Sequence, residues 1–269
     1  MRIFIFTLSF SLLHAYLGNT EVGARAISTG KACITLLEGS EAIFWNPASL
    51  ISETKFDIFT VYEIPYSLRD FARGALVAKI GDKRKAFGAG LRIKDLRGTF
   101  TESNVILGFA RKIYFINLGG SLRYILISAT YGNGNNYVAR NWTIDIGFLI
   151  YVGNFKLSYA HFDLLNPNMS LLGNAEHSIS IKRIGVGLRR PSNVMWLFSL
   201  EDHGEGFKIY RIGVEAWFTR GFAARFGIDE RYPTIGFGLK EKNWAFDFGT
   251  RSHRYLGNTY SFSFKVFGF

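Results

Sequence analysis

From about residue 55 onward the chain alternates apolar and polar side chains with a period of two, over runs longer than a soluble sandwich needs. In "WTIDIGFLI" the apolar set is Trp142, Ile144, Ile146, Phe148 and Ile150, and Thr143, Asp145 and Gly147 point the other way. In "YRIGVEAWF", Tyr210, Ile212, Val214, Ala216 and Phe218 oppose Arg211, Gly213 and Glu215. Phe222, Ala224, Phe226 and Ile228 oppose Arg225, Gly227 and Asp229, and Trp244, Phe246 and Phe248 oppose Asp247 and Gly249. Successive side chains of a strand leave opposite faces, so each run is a strand with one apolar and one polar side. Helical periodicity is not evident anywhere.

Counting such runs between turn signals gives about fourteen strands, among them 139–152, 154–165 and 177–190. "YGNGNN" (131–136) supplies an Asn-Gly hairpin cue. In "ISIKRIGVGL" the apolar parity moves across Lys182–Arg183, which a β-bulge would explain. A sandwich strand needs about five or six residues, whereas a membrane-spanning strand needs about 9–11 with apolar side chains toward lipid and polar ones toward the lumen. Most of these runs have the second length. Closure also pairs every backbone group, as hydrocarbon requires. The fold expected is all-β, a transmembrane antiparallel β-barrel of about fourteen strands.

Composition narrows the setting. Hydrophobic residues make up 48% and charged residues 20%, which excludes a disordered chain. Aromatics at 16%, with 29 Gly and 5 Pro, suit strands and tight turns. The net charge of +11 is compatible with an anionic membrane surface or an acidic partner. The basic residues form no dense block, so nucleic acid is not an expected partner. Cys33 is the single cysteine and reads as a small packed hydrophobe, which leaves no internal disulfide and no Cys-based metal site. "MRIFIFTLSFSLLHAYLG" (1–18) has Arg2 ahead of an apolar stretch, with Ala15 and Gly18 as candidate cleavage points, and reads as a secretory signal.

Motifs for catalysis are missing. The histidines at 14, 161, 177, 203 and 253 are dispersed, and no zinc-binding, nucleophile-elbow or paired-Cys pattern occurs, so neither catalytic nor metal residues nor a cofactor are assigned. "EDHGEG" (201–206) reads as a solvated hairpin turn. The Gly-x-Gly pairs at 88/90, 185/187 and 236/238 sit inside strands with no helix after them, so they leave room or ease curvature and cradle no phosphate. The polar faces carry Arg211, Glu215, Arg225, Asp229, Asp247 and Arg251, expected to form a charge network bracing the lumen.

Just before the alternation begins stands "EAIFWNPASL" (41–50), in which Asn-Pro favours a turn. Together with Gly23-Ala24-Arg25-Ala26 upstream, the sequence Trp45-Asn46-Pro47-Ala48 resembles the N-terminal segment of the PorV/PorQ family of outer-membrane proteins, within the wider FadL-like superfamily. The family's usual Met-Gly-Gly-Ala is here Thr29-Gly30-Lys31-Ala32, a local departure. The resemblance implies a signal at 1–18, an N-terminal segment at 19–54 tucked into the lumen as a plug, and an outer-membrane barrel over 55–269. Arg25 would then pair with an acid such as Glu215, Asp229 or Asp247. The closing "TYSFSFKVFGF" resembles the aromatic signal read by barrel-insertion machinery, with Phe267 and Phe269 in that role. Lys265 and Ser263 at the next alternate positions would require a bulge or a relaxed signal. The implied function is type IX secretion, with secreted cargo proteins as partners. A FadL-like channel for a hydrophobic small molecule and a purely structural role are the alternatives, and outer-membrane lipid surrounds the protein in all three.

Overall fold

The computed structural model describes residues 21–130, 134–171, 177–190, 193–204, 206–218 and 221–268. The signal at 1–18 and Phe269 lie outside the described residues. Fourteen strands form one closed antiparallel barrel in which β1 and β14 complete the ring. They are β1 Phe56–Ile64, β2 Arg73–Gly81, β3 Lys85–Leu96, β4 Phe100–Ile113, β5 Ile116–Thr130, β6 Asn136–Val152 and β7 Phe155–Phe162. The ring continues with β8 Ile181–Arg189, β9 Val194–Asp202, β10 Lys208–Trp217, β11 Phe222–Asp229, β12 Tyr232–Lys240, β13 Trp244–His253 and β14 Gly257–Gly268. No helix among the described residues is long and apolar enough to cross a membrane.

The alternation in the sequence becomes alternation in exposure. Along β1 every second side chain is buried, so Phe59 and Val61 point inward while Ile58 and Tyr62 stay exposed. The exposed set is the apolar one nearly all the way round: Leu76, Phe87, Leu107, Trp142, Trp196, Phe226, Ile235 and Phe264 all face outward. In water such a continuous apolar surface would drive association, whereas in a bilayer it is the matched face. Aromatic side chains mark both borders of the band, Phe56, Trp196 and Trp244 at one end and Tyr62, Trp142 and Tyr210 at the other. The protein is a multi-pass β-barrel of the outer membrane.

The two ends differ. At one, where β1 starts and β14 stops, the connections are short, such as 82–84, 114–115 and 153–154. At the other lie the longer connections 65–72 and 163–180. Short turns face the periplasm and longer loops face outside in such barrels, which orients the molecule.

The bulge expected at Lys182–Arg183 is absent, and of the bulge or relaxed signal considered for the last strand, no bulge occurs. β8 pairs in unbroken register with β7 and β9, and Lys182 points outward while Arg183 points inward. The parity moves because the strand begins at Ile181, which turns inward against Ile34, Ala160 and Phe162, while Ile184 meets lipid. β14 is likewise unbroken against β1 and β13. Its lipid face is Phe262, Phe264 and Val266, so Phe267 turns inward and is buried, with the Lys240 ammonium 5.6 Å from its ring. The segment before β1 contains one helical turn, α1 (Ala24–Ser28), too short to show helical periodicity in the sequence.

Candidate functional site

Residues 21–51 are buried almost without exception, and their partners are inward-facing residues of the wall. Gly23 opens α1 at φ 120°, a conformation that favours glycine. Its N–H donates to Glu63 Oε1 at 2.9 Å, and the next N–H, of Ala24, donates to Ser263 Oγ at 2.8 Å. Arg25 lies on the side of α1 facing β10, and its Nε and Nη2 each donate to Glu215 at 2.8 Å. Of the three acids suggested by the sequence, Glu215 is the partner. Burial works against the Arg25 charge, but Glu215 and then Glu41 hold it firmly protonated.

Trp45 follows a short 3-10 turn (Ser40–Phe44) and is almost fully buried. Its indole N–H donates to Val22 O at 2.9 Å, and the Arg183 guanidinium lies between its ring and that of Phe162, at 4.9 and 4.8 Å. Such stacking stabilises a buried cation. Asn46 is extended, as a residue before proline prefers to be, and caps the next 3-10 turn (Pro47–Leu50) by accepting from Ala48 N at 2.9 Å. Pro47, at the first position of that turn, gives up no hydrogen bond. The Asn46 amide donates to Phe148 O at 3.0 Å and to Ser158 Oγ at 2.6 Å, which ties the turn to β6 and β7. Cys33 is buried in the same segment, and burial raises its thiol pKa well above normal, so it packs as an inert hydrophobe.

Wall glycines admit this backbone. A Cβ on Gly147 would sit 1.9 Å from Asn46 Oδ1, and one on Gly227 would sit 2.3 Å from Gly30 N. Glycine therefore belongs at these points for close approach.

The lumen charges form two arrays. In the first, spanning β8 to β13, Arg211 donates to Asp229 at 2.8 Å and to Glu201 at 2.6 Å, and Arg251 donates to Asp229 at 2.7 Å. Arg225 reaches Glu215 at 2.6 Å and Asp247 at 2.7 Å. The six wall residues expected in one network fall into two ion-paired groups, Arg211, Asp229 and Arg251 in one and Glu215, Arg225 and Asp247 in the other. The sequence did not single out several others that join the first group. Glu21 accepts from Lys31 at 2.6 Å and from Arg183 and Arg211 at 3.0 Å, and Lys31 is also 3.3 Å from Asp229. Glu201 accepts from Arg183 as well, which corrects its assignment to a solvated turn. Strand parity placed Arg183 and Glu201 opposite one another once no bulge intervened.

The second array lines β3 to β6 and is closed within the wall. Arg92 meets Glu102 at 2.8 Å, and Arg123 meets Asp145 at 2.9 Å and Asp163 at 2.7 Å. Each of these charges is buried, and a lone buried charge costs several kcal/mol, on the order of 3–5 when one partner is removed. Pairing on this scale is what permits a charged interior.

Above the segment, at the loop end, lies a cavity of about 910 Å³. Its floor is Glu21, Ile27 and Lys31 with the Arg211–Asp229 pair, and its sides include Ile179, Phe207, Ile209 and the Tyr232–His253 stack, whose ring centroids are 4.3 Å apart. The wall is uneven beside it. β5 accompanies β6 over Asn136–Ile150, but β7 meets β6 only over Ile146–Val152. The connection at 163–171 crosses that step, with Leu164 N donating to Ile144 O at 3.0 Å and Met169 buried against Phe100, Ile125, Ile127 and Ala139. Among the described residues no cluster of three or more acidic, His or Cys side chains is arranged to hold a metal.

No family model matches the chain, and no curated protein matches it. Solved structures do. A crystal structure of the Pseudomonas putida toluene transporter TodX is similar at a TM-score of 0.66 and 10% identity, over 92% of this chain and 97% of that one. A second TodX structure gives 0.64 at 10% identity, over 91% and 96%. The Acinetobacter baumannii outer-membrane protein Omp33 gives 0.50 at 11% identity, over 80% and 98%. At such identities the likeness is one of fold. It places the chain among outer-membrane barrels and leaves the PorV/PorQ membership implied by "FWNPASL" without a family match.

Proposed function

We propose that the protein is a non-enzymatic outer-membrane channel for small hydrophobic molecules, in which residues 21–54 act as the plug. The observation that carries this reading is the loop-end cavity of about 910 Å³ whose floor is the N-terminal segment itself. A molecule entering from outside would rest against Ile179, Phe207, Ile209 and Tyr232, among charged side chains such as Glu201, Arg211 and Arg251, and leave only if that floor moves. The step between β6 and β7 is covered by residues 163–171, whose displacement would open a second approach from the side at the height of Ile144. TodX, of similar fold, is described as a toluene transporter and as a monoaromatic hydrocarbon channel, which suggests the ligand class. The secretion role drawn from the PorV/PorQ resemblance has no family match behind it.

Reconstitution into liposomes tests the proposal, with toluene and glucose as probes. Saturable toluene entry with glucose excluded is the expected result. Equal passage of both solutes would make the protein a general pore. Passage of neither, together with co-purification of secreted proteins, would restore the secretion role.

A further inference from the structure

Most lumen charges are paired, so much of the surplus of +11 lies elsewhere, and one part of it is concentrated. At the short-turn end, the β2–β3 turn and the end of β4 lie side by side, with Lys112 N donating to Arg84 O at 2.7 Å and Lys85 opposite Arg111 in register. Arg84, Lys85, Arg111 and Lys112 are all exposed, and none of them forms an ion pair among the described residues. Asp82, the acid of this turn, turns its carboxylate to the backbone and accepts from Arg84 N at 2.7 Å and Lys85 N at 2.9 Å. Directly toward the membrane from Lys85 and Arg111 lies the Phe87–Phe109 pair, with ring centroids 4.8 Å apart. Beside them the two-residue β4–β5 turn exposes Tyr114 at 91% and Phe115 at 58%.

Three cations without acid partners, Arg84, Lys85 and Arg111, set over an outward aromatic pair and flanked by exposed rings, match an interface where phosphate meets hydrocarbon, while Lys112 has the inward parity and holds its ammonium 5.5 Å from the Tyr151 ring. Cations near a membrane surface attract anionic headgroups, and amphipathic rings settle at headgroup depth. We propose that this patch binds the headgroup of an anionic phospholipid in the inner leaflet, with Arg84, Lys85 and Arg111 on the phosphate and Phe87 and Phe109 along the first acyl carbons. The site is separate from the cavity and does not depend on what the channel carries.

The test uses the full chain in nonionic detergent, titrated with dimyristoyl phosphatidylglycerol or with dimyristoyl phosphatidylcholine and read by native mass spectrometry. Phosphatidylglycerol should bind about tenfold more tightly or better, given three cations at one surface. That preference should shrink as salt rises from about 0.05 M to about 0.5 M, because exposed charges are screened. The variant R84Q/K85Q/R111Q should lose the preference. A charge-matched control at the loop end, R69Q/R140Q/K208Q, should keep it. If the first variant does not fold, as judged by heat-modifiable migration, R84Q/K85Q and R111Q made separately should each reduce the preference. Equal affinity for the two lipids, a salt-independent preference, or equal loss in the control would overturn the proposal. Displacement of phosphatidylglycerol by the same concentration of inorganic phosphate would also do so, since the site would then be one for a free anion.

Discussion

Toward β8–β13 the N-terminal segment meets the wall through charge, with Arg25 on Glu215, Lys31 on Asp229, and Glu21 on Arg183 and Arg211. Toward β3–β7 it meets the wall through fit: Leu50 against Gly88 and Gly108, Ala48 against Gly119, and Asn46 between Gly147 and Ser158. On that side Arg92–Glu102 and Arg123–Asp145 are paired within the wall, while Lys156 at the short-turn end of β7 pairs with Glu38 of the segment. The difference lies in what each contact requires. Buried ion pairs offset a desolvation cost and therefore fix position more than they add stability. Packing against bare glycine adds apolar burial and tolerates no added methyl group.

The comparison can be broken most sharply at Glu215. E215A leaves Arg25 with Glu41 alone, at 3.5 Å, and removes one of the two acids on Arg225, and such a loss from a buried pair costs on the order of 3–5 kcal/mol. Protease cleavage within residues 21–54 of the detergent-solubilised barrel should rise steeply, while migration of the wall in gels without heating stays that of a folded barrel. On the fitted side N46A deletes the cap and both donated bonds, at a cost of about 1–3 kcal/mol for the groups left unpaired. Exposure of the 41–54 region should increase, by less than in E215A.

Acid and alkali should separate the two sides without any substitution. Burial alone would raise the Glu21 pKa, but Arg211, Lys31 and Arg183 hold it well below the usual carboxylate range. A depressed carboxylate contributes stability above its unfolded pKa, about 4.3, and loses it as pH falls through the folded value. The ionic side should therefore hold down to about pH 5 and loosen only in stronger acid. Asp163, just beyond β7, behaves in the opposite sense: burial pushes its pKa up to about 6, against the pull of Arg123. Its contribution is largest in acid and is lost as pH rises through that value. Thermal unfolding of D163N should accordingly lack an alkaline decline that the parent chain shows. The smallest effect belongs to Lys83–Glu53, a pair of the same chemistry that is about 70% exposed at each partner. K83Q should change unfolding by no more than about 0.5 kcal/mol, which measures how much of the Glu215 effect comes from burial.

The barrel was legible because period two carries both the strand and its two faces. Each strand from β1 to β14 lies within a few residues of an alternating run, and the six expected lumen charges share one parity. Where a single residue type broke the pattern, the reading failed. Ile179 and Ile181 looked like a shifted strand when the strand simply starts later. The N-terminal segment has no period at all. Glu21, Lys31 and the glycine contacts could not be found from spacing, because partners such as Ala24 and Ser263 are 239 residues apart. Trp45 and Asn46 were visible as a motif, but their bonds to Val22 and Phe148 are tertiary facts.

Those long separations bear on how the molecule comes together. The segment touches both sides of the seam, through Gly23 on Glu63 and Ser40 on Asp57 of β1, and through Ala24 on Ser263 and Glu41 on Lys265 of β14. The first described residues of the chain are thus clasped by the last strand made. They cannot be fully seated until the ring has shut, and once seated they hold the two edges of the joint from within, as a keystone does.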